Sequence, residues 1–147
     1  MKPPAEHPID YRQCTWQSDR DALLAVRVAV FVGEQAVPLA LEVDDSDPAA
    51  AHWLAVDGSG APIATARLVA GQKIGRLAVL AAWRGRGIAQ RLMALAEAEA
   101  RRLNSRQVTL GAQLQAIGFY AALGYQTTGE PFDDAGIAHI KMVKALP

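Results

Sequence analysis

The chain has 147 residues, 51% of them hydrophobic and 20% charged, and its 15 basic and 15 acidic side chains cancel to a net charge of zero. This length suits one domain with a sizeable core, and the composition excludes a disordered or fibrous chain. Nucleic-acid-binding domains normally carry a basic excess, so the neutral balance argues against nucleic acid as a partner.

The cysteine count and the amino terminus bear on the compartment. Cys14 is the only cysteine, which excludes an internal disulfide and predicts a buried or partly buried thiol in a reducing cytosol. Residues 1–10 are polar and rich in proline, so we expect a flexible tail and no signal peptide. No run approaches the ~20 apolar residues of a membrane span. We therefore expect a cytoplasmic, single-domain protein over residues 1–147 that acts without a membrane.

Strand and helix patterns alternate along the chain. Residues 13–17 predict a short first strand, and Ser18 with Asp21 resembles a capping box before an apolar helix over about 19–33. The later elements are predicted as strands over 52–56, 63–69 and 74–80, a long helix over about 86–103, a strand over 107–111, a short helix over 114–123 and a last strand over 138–143. Helices covering a mixed sheet are the natural architecture for this order, an α/β fold.

The junction between the strand 74–80 and the long helix carries the most informative motif, Arg84-Gly85-Arg86-Gly87-Ile88-Ala89. A helix start has unpaired N–H groups and partial positive charge, which together stabilise a phosphate. The two glycines allow close approach and positive φ, and the two arginines add charge. A turn with a solvated basic face fits the same residues. The spacing matches neither the dinucleotide fingerprint nor the Walker loop.

The spacing Arg84-x-x-Gly87-x-Ala89 resembles the acetyl-CoA signature of the GNAT superfamily of N-acetyltransferases. Three further motifs recur in the same order in its ElaA-like branch: Val30 to Gln35, Gly118 to Tyr125, and Gly136 to Met142. The similarity runs from the first helix to the end of the chain. It implies a mixed, mostly antiparallel central sheet flanked by helices, in which two strands splay apart to form a cofactor cleft.

The resemblance implies that acetyl-CoA gives its acetyl group directly to a primary amine, small or peptide-like, in a ternary complex. It places the pyrophosphate on the 84–89 loop and the thioester oxygen on backbone N–H groups of Leu77, Ala78 and Val79, whose side chains can be ordinary core. It points to Tyr120 as the acid that protonates the leaving thiolate. Without the family, an aromatic pair on a short helix indicates packing.

The reaction also needs a base, because an ammonium cannot attack a thioester. Glu34 ends a helix, where a carboxylate is unfavourable to the helix dipole, and this favours a functional role. His139 alternates with apolar residues in a strand, which also fits a structural histidine. Asp44, Asp45 and His52 are further candidates, acting directly or through water. The candidate acceptor contacts are Asp45, His52, Arg67, Gln113 and His139.

Several alternatives stay open. A non-catalytic acyl-CoA-binding or sensing module would keep the phosphate loop, and a transferase for a longer acyl donor would need only a roomier cleft. The loop at about 34–51 and the segment 131–134 should set acceptor specificity, since the fold itself does not supply a substrate. The three histidines are too scattered to predict a metal site. The resemblance to the GNAT superfamily also makes a homodimer a candidate assembly.

Overall fold

A computed structural model describes residues 8–147 of the chain. Its strands are β1 (Asp10–Cys14), β2 (Ala51–Val56), β3 (Pro62–Val69), β4 (Lys73–Val79), β5 (Gln107–Gln113), β6 (Gln126–Asp134) and β7 (Ile137–Ala145). Its α-helices are α1 (Trp16–Arg27), α2 (Leu39–Glu42), α3 (Ile88–Arg102) and α4 (Ile117–Ala122). A π-helical turn, Val28–Glu34, continues α1, and 3-10 turns at Ala81–Trp83 and Leu114–Ala116 precede α3 and α4.

The strands form one sheet in the order β1-β2-β3-β4-β5-β7-β6. Every neighbouring pair runs antiparallel except β4 and β5, which are parallel and register at Lys73 with Thr109. The N–H of Thr109 also donates to the carbonyl of Gln72 at 2.9 Å. Beyond this point β4 and β5 separate. The predicted mixed, mostly antiparallel α/β fold is confirmed, and the opening between β4 and β5 is what positions the site.

Helix α3 covers the sheet beside this opening. Ile88, Leu92, Ala96 and Ala100 recur every four residues along one face and are buried in the main core. This spacing is that of an amphipathic helix with a stripe turned to the sheet. The helix ends after two basic residues, which suit the negative end of its dipole. The core therefore holds α3 so that its first turn lies at the end of β4.

The start of α1 corrects the sequence prediction. The helix begins at Trp16, so residues 16 and 17, predicted as strand, are helical. Thr15 is the N-cap: its hydroxyl accepts from the N–H of Ser18 at 3.0 Å, and the Ser18 hydroxyl accepts from the N–H of Thr15 at 3.1 Å. The capping box was therefore placed three residues too late, because Ser18 occupies its far end. Cys14, at the end of β1, is buried as predicted.

The short helix α2 lies within the segment 34–51, which was expected to be a loop, and strand β6 was not predicted either. All nine of its residues are exposed, so they lack the apolar alternation by which a strand is recognised. Its register with β7 shifts between Thr128 and Phe132, which accommodates Gly129 and Pro131. The segment 131–134, expected to contribute to acceptor specificity, therefore belongs to an edge strand.

The predicted flexible tail covers residues 1–10. Residues 1–7 lie outside the described part of the chain, whereas Asp10 already pairs with Val56 in the sheet. Among residues 8–147, no helix combines the length and the apolar character needed to cross a membrane.

Candidate active site

A cavity of about 630 Å³ lies where β4 and β5 diverge. One wall is the stretch from Gly75 to Val79 on β4, and another is formed by Gly111 and Gln113 on β5. The turn that follows α1, helix α4 and the β6–β7 hairpin contribute the other sides. Concave sites of this size, at a break in a sheet, are where small molecules bind.

A bulge in β4 produces the divergence. Gly75 pairs with Arg67 and Ala78 pairs with Thr65, so Arg76 and Leu77 stand opposite a single residue of β3. Arg76 has a φ of +48°, in the left-handed region that a side chain rarely adopts. A bulge bends its strand and increases the local twist. The far half of β4 therefore turns away from β5.

The opened edge of β4 presents backbone donors to the cavity. Leu80 donates its N–H to Ile63 of β3 at 2.9 Å. Because N–H groups alternate between the two sides of a regular strand, that of Val79 points to the opening and that of Ala78 points to β3. The carbonyl of Val79, on the same side, accepts from Nε of Arg84 at 3.0 Å. Of the three predicted oxyanion donors, Val79 is thus the one whose N–H lies on the open edge of β4.

The 84–89 loop joins β4 to α3 with two residues at positive φ, Gly85 at +78° and Gly87 at +79°. Gly87 is the N-cap of α3, and no side chain of the described residues caps it. The first intrahelical bond runs from Arg91 to Gly87 at 3.1 Å, so the N–H groups of the first turn lack helical partners. Arg84 and Ala89, at the two ends of the loop, line the cavity. Phosphate would find both backbone donors and the helix dipole here.

The arginines of this loop point in different directions. The Arg86 guanidinium lies over the Trp83 ring at 4.6 Å, which holds it beside an aromatic face. Arg84 instead reaches Glu34, with 2.7 Å between its guanidinium and the Glu34 Oε2. The loop's backbone is therefore the part freest to bind an anion.

Tyr120 reaches the cavity from α4. Its ring makes edge-to-face contacts with Phe119 at 5.1 Å and with Tyr125 at 6.0 Å between centroids. Burial raises the pKa of its hydroxyl to about 12, so the group is protonated at neutral pH. Tyr125 differs because its hydroxyl is buried and donates to Glu97 at 2.7 Å. Of these two tyrosines, Tyr120 is thus the one that lines the cavity.

The short segment Glu34-Gln35 connects both sides of the opening. Glu34 binds Arg84, which follows β4, and Gln35 accepts from the side-chain amide of Gln113, at the end of β5, at 2.8 Å. Both residues line the cavity. The end of the π-helical turn therefore forms a bridge across the mouth of the splayed strands, and one carboxylate oxygen of Glu34 is occupied by the arginine.

His139 lines the cavity from β7. Its ring stacks on Phe132, with centroids 5.8 Å apart and planes 24° apart. Its Nδ1 lies 2.7 Å from the carbonyl oxygen of Ile137. Across the sheet it pairs with Gln113 of β5. The structure thus brings together four of the predicted site side chains, Glu34, Gln113, Tyr120 and His139.

Two predicted acceptor contacts do not reach the cavity. His52 is fully buried, with Nε2 2.9 Å from the carbonyl oxygen of Asp47, and its ring lies against Trp16. Burial lowers its pKa, which disfavours the charged ring. Asp45 is exposed and is not part of the cavity wall. His52 lies outside the cavity because the start of β2 packs it against Trp16 of α1, whereas Asp45 faces solvent in the segment before β2.

Those buried charges were missed by the sequence reasoning. Arg27 is fully buried and donates to Glu42 at 2.7 Å and to Asp47 at 2.8 Å. Arg67, a predicted acceptor contact, does line the cavity, but its guanidinium is bound to Asp44 at 2.7 Å and to Asp47 at 3.0 Å. A signal was available, since Arg27 falls on the apolar face of α1.

The network sets the protonation of its members. Burial by itself raises the pKa of Asp47, but the hydrogen bonds and charge of Arg27 outweigh it and lower that pKa to about 2. Arg76 completes the network through Asp44 at 3.2 Å and the Glu42 carbonyl at 3.1 Å. Asp44, a candidate base, is thus held by two arginines. Among residues 8–147, no cluster of His, Cys, Asp and Glu side chains could hold a metal ion.

Comparisons with known proteins agree with this geometry. The family model described as an acetyltransferase (GNAT) domain matches residues 19–146. The chain is similar to the uncharacterized N-acetyltransferase YjcF of Bacillus subtilis (strain 168), with 36% identity over 123 residues, 81% of this chain and 87% of that one. It is also similar to the crystal structure of an acyl-CoA N-acyltransferase from Pseudomonas aeruginosa, with 32% identity, a TM-score of 0.84, and coverage of 94% and 100%. It is similar as well to the crystal structure of Escherichia coli ElaA, with 29% identity and a TM-score of 0.81, and the match covers 93% of this chain and 99% of that one.

Proposed function

Because this chain belongs to the GNAT family of acetyltransferases, we propose that it transfers an acetyl group from acetyl-CoA directly to a primary amine. The acceptor is a small molecule or a peptide-like amine, and it meets acetyl-CoA in a ternary complex. One observation carries the proposal: Tyr120 lines the same cavity as the opened edge of β4 and both ends of the 84–89 loop.

Donor binding would use the backbone of β4 and of the 84–89 loop. The pyrophosphate would accept from N–H groups at the start of α3, where the dipole also favours it. The amides of the pantetheine arm would pair with the free edge of β4, as an added strand does. This arrangement would direct the thioester to the N–H of Val79.

The chemistry follows from these positions. The amine nitrogen attacks the thioester carbonyl carbon, and the oxyanion that forms accepts from a backbone N–H of β4, an interaction of a few kcal/mol where water is excluded. The carbon–sulfur bond then breaks. Tyr120 gives its proton to the leaving sulfur and takes one from the nitrogen that becomes the amide.

Acidic side chains on the cavity wall suit a cationic acceptor. Glu34 and Asp134 are both exposed there, and both would attract an ammonium group. A catalytic role for Glu34 stays a prediction from the sequence, and its contact with Arg84 supports a part in shaping the mouth of the cavity.

The test is CoA release from acetyl-CoA across a panel of primary amines, comparing the unaltered chain with Tyr120→Phe. We expect the substitution to lower turnover about 100-fold, because the thiolate would leave without a proton. Acetyl-CoA affinity, measured by calorimetry, should change little. Tyr11→Phe, on β1 away from the cavity, is the matched control and should keep full turnover.

Two results would contradict the proposal. Full turnover in Tyr120→Phe would remove the tyrosine from the mechanism. Tight binding of acetyl-CoA by the unaltered chain, with no CoA release for any amine, would indicate a non-catalytic acyl-CoA-binding or sensing module.

A further inference from the structure

We propose that His139 is the catalytic base of this reaction and that its Nε2 takes a proton from the acceptor ammonium. The inference rests on the proposed amine acetylation and adds to it the group that makes the acceptor nucleophilic. Four observations support it. The ring makes a hydrogen bond to Ile137, it stacks on Phe132, it lies on the cavity wall, and the other candidate bases are ion-paired, buried or exposed.

The hydrogen bond at Nδ1 selects the tautomer of the ring. The carbonyl oxygen of Ile137, 2.7 Å from Nδ1, can only accept. Nδ1 must therefore carry the hydrogen, and in the neutral ring Nε2 keeps its lone pair. Within residues 8–147, Nε2 makes no hydrogen bond that would occupy this lone pair. The ring is thus prepared to accept a proton at Nε2.

Packing holds the ring in place at the cavity. Phe132, its register partner on β6, stacks on it. Gly111 leaves room for the pair, since a Cβ there would lie 3.4 Å from Cζ of Phe132 and 3.9 Å from Cδ2 of His139. His139 is half-buried, so the ring is held by its neighbours while one side remains accessible. A base must be fixed in this way to meet its proton at hydrogen-bond distance.

The other candidate bases are less suitable. Glu34 is bound to Arg84, and Asp44 is bound to Arg67 and Arg76. His52 is buried away from the cavity. Asp134 also lies on the cavity wall, but it is exposed, whereas His139 is half-buried and stacked on Phe132.

The proton balance closes with this assignment. Nε2 takes one proton from the ammonium, which leaves a neutral amine and an imidazolium ring. The amine attacks the thioester, the carbon–sulfur bond breaks, and a second nitrogen proton reaches the sulfur by way of Tyr120. The imidazolium then releases its proton to water. One ammonium and one thioester become one amide, one thiol and one released proton.

The test compares two acceptors of nearly equal size, ethylamine and 2,2,2-trifluoroethylamine. Ethylamine is an ammonium ion at neutral pH, whereas the fluorinated amine is largely a free base and needs no deprotonation. With His139→Gln we expect kcat/KM for ethylamine to fall about 100-fold and that for the fluorinated amine to fall only a few-fold. His139→Phe, which keeps an aromatic ring against Phe132, should behave like His139→Gln.

The pH profile gives a second readout. In the unaltered chain, kcat/KM for ethylamine should rise with pH, because the acceptor ammonium must lose a proton, and this rising limb should shift to higher pH in His139→Gln, where only the free amine reacts. The charged residues that share the cavity wall with the ring are Glu34, Glu42, Arg67, Lys73, Arg76, Arg84 and Asp134. Lys141 lies two positions further along β7. Lys141→Gln, on the same strand and exposed, is the control and should keep the limb at its original pH.

The inference would be overturned if His139→Gln lost kcat/KM equally for both amines, or if its activity towards ethylamine were unchanged. So would ring ¹⁵N shifts that place the hydrogen of neutral His139 on Nε2, a readout that does not depend on turnover. Failure of the proposed function would show separately, as an unaltered chain that binds acetyl-CoA and releases no CoA with any amine.

Discussion

Arg27 carries the largest single-residue consequence for stability. Its guanidinium is fully buried and is shared between Glu42 and Asp47, which are themselves almost inaccessible. The cost of removing these charges from water is offset only while each keeps its partner. The segment around Glu42 lies in the cavity wall, so this one arginine also supports the shape of the site.

We expect Arg27→Met to lower the free energy of unfolding by about 3–5 kcal/mol, because two buried carboxylates would lose their fully buried partner and keep only Arg67 and Arg76. Urea denaturation monitored by circular dichroism measures this change in the free energy of unfolding. Arg106→Gln, exposed before β5, is the matched control and should stay within about 0.5 kcal/mol. A loss below about 1 kcal/mol for Arg27→Met would mean that the network relaxes without its arginine.

At the scale of elements, the decisive feature is the junction of β4 with α3. The bulge at Arg76 turns the strand away from β5, and the helix begins at a glycine with positive φ. Neither feature provides a binding site alone. Together they place free strand donors and free helix donors on one continuous path along the cavity.

Gly87→Ala tests this junction, with Gly60→Ala as its matched control. Gly60 has a φ of +86° in the turn between β2 and β3, remote from the cavity. Each substitution forces a side chain into the left-handed region at a cost of about 1–2 kcal/mol in stability.

Only Gly87→Ala should also weaken acetyl-CoA binding, about tenfold by calorimetry, because its Cβ or the resulting shift disturbs the anion-binding backbone. Unchanged affinity in Gly87→Ala would place the pyrophosphate elsewhere.

For the whole molecule, the two halves of the sheet are joined weakly at the opening. Backbone pairing of β4 with β5 is limited to its start, and the Glu34-Gln35 segment bridges the mouth through Arg84 and Gln113. Helix α3 packs across both halves within the main core. A ligand that fills the opening would therefore stabilise the domain as a unit.

We expect acetyl-CoA at 100 times its Kd to stabilise the fold by about 2.7 kcal/mol. For a chain of this size that corresponds to a rise in Tm of roughly 5–10 °C, measured by differential scanning fluorimetry. Adenosine diphosphate, which offers the phosphates without the pantetheine arm, should give a smaller rise. A larger rise with octanoyl-CoA than with acetyl-CoA would instead favour a longer acyl donor.

The sequence was sufficient wherever the information is local. Apolar periodicity located α3 and the central strands, and the spacing of Arg84, Gly87 and Ala89 indicated the family and predicted an anion-binding loop. The sequence was insufficient for β6, because its exposed residues show no alternation of apolar and polar side chains. It was also insufficient for the exact start of α1, because Thr15 and Ser18 belong to one capping box and either is a suitable N-cap residue.

The tertiary structure decided which polar residues share the cavity and which are buried. Arg27 meets Asp47, and Glu34 meets Arg84 fifty positions later. Sequence reasoning could name His52 and His139 as candidates, but only the fold buries the first and places the second in the wall of the same cavity as Tyr120. The physical reason is that burial and proton affinity depend on neighbours supplied by other strands and helices. No local pattern encodes those neighbours.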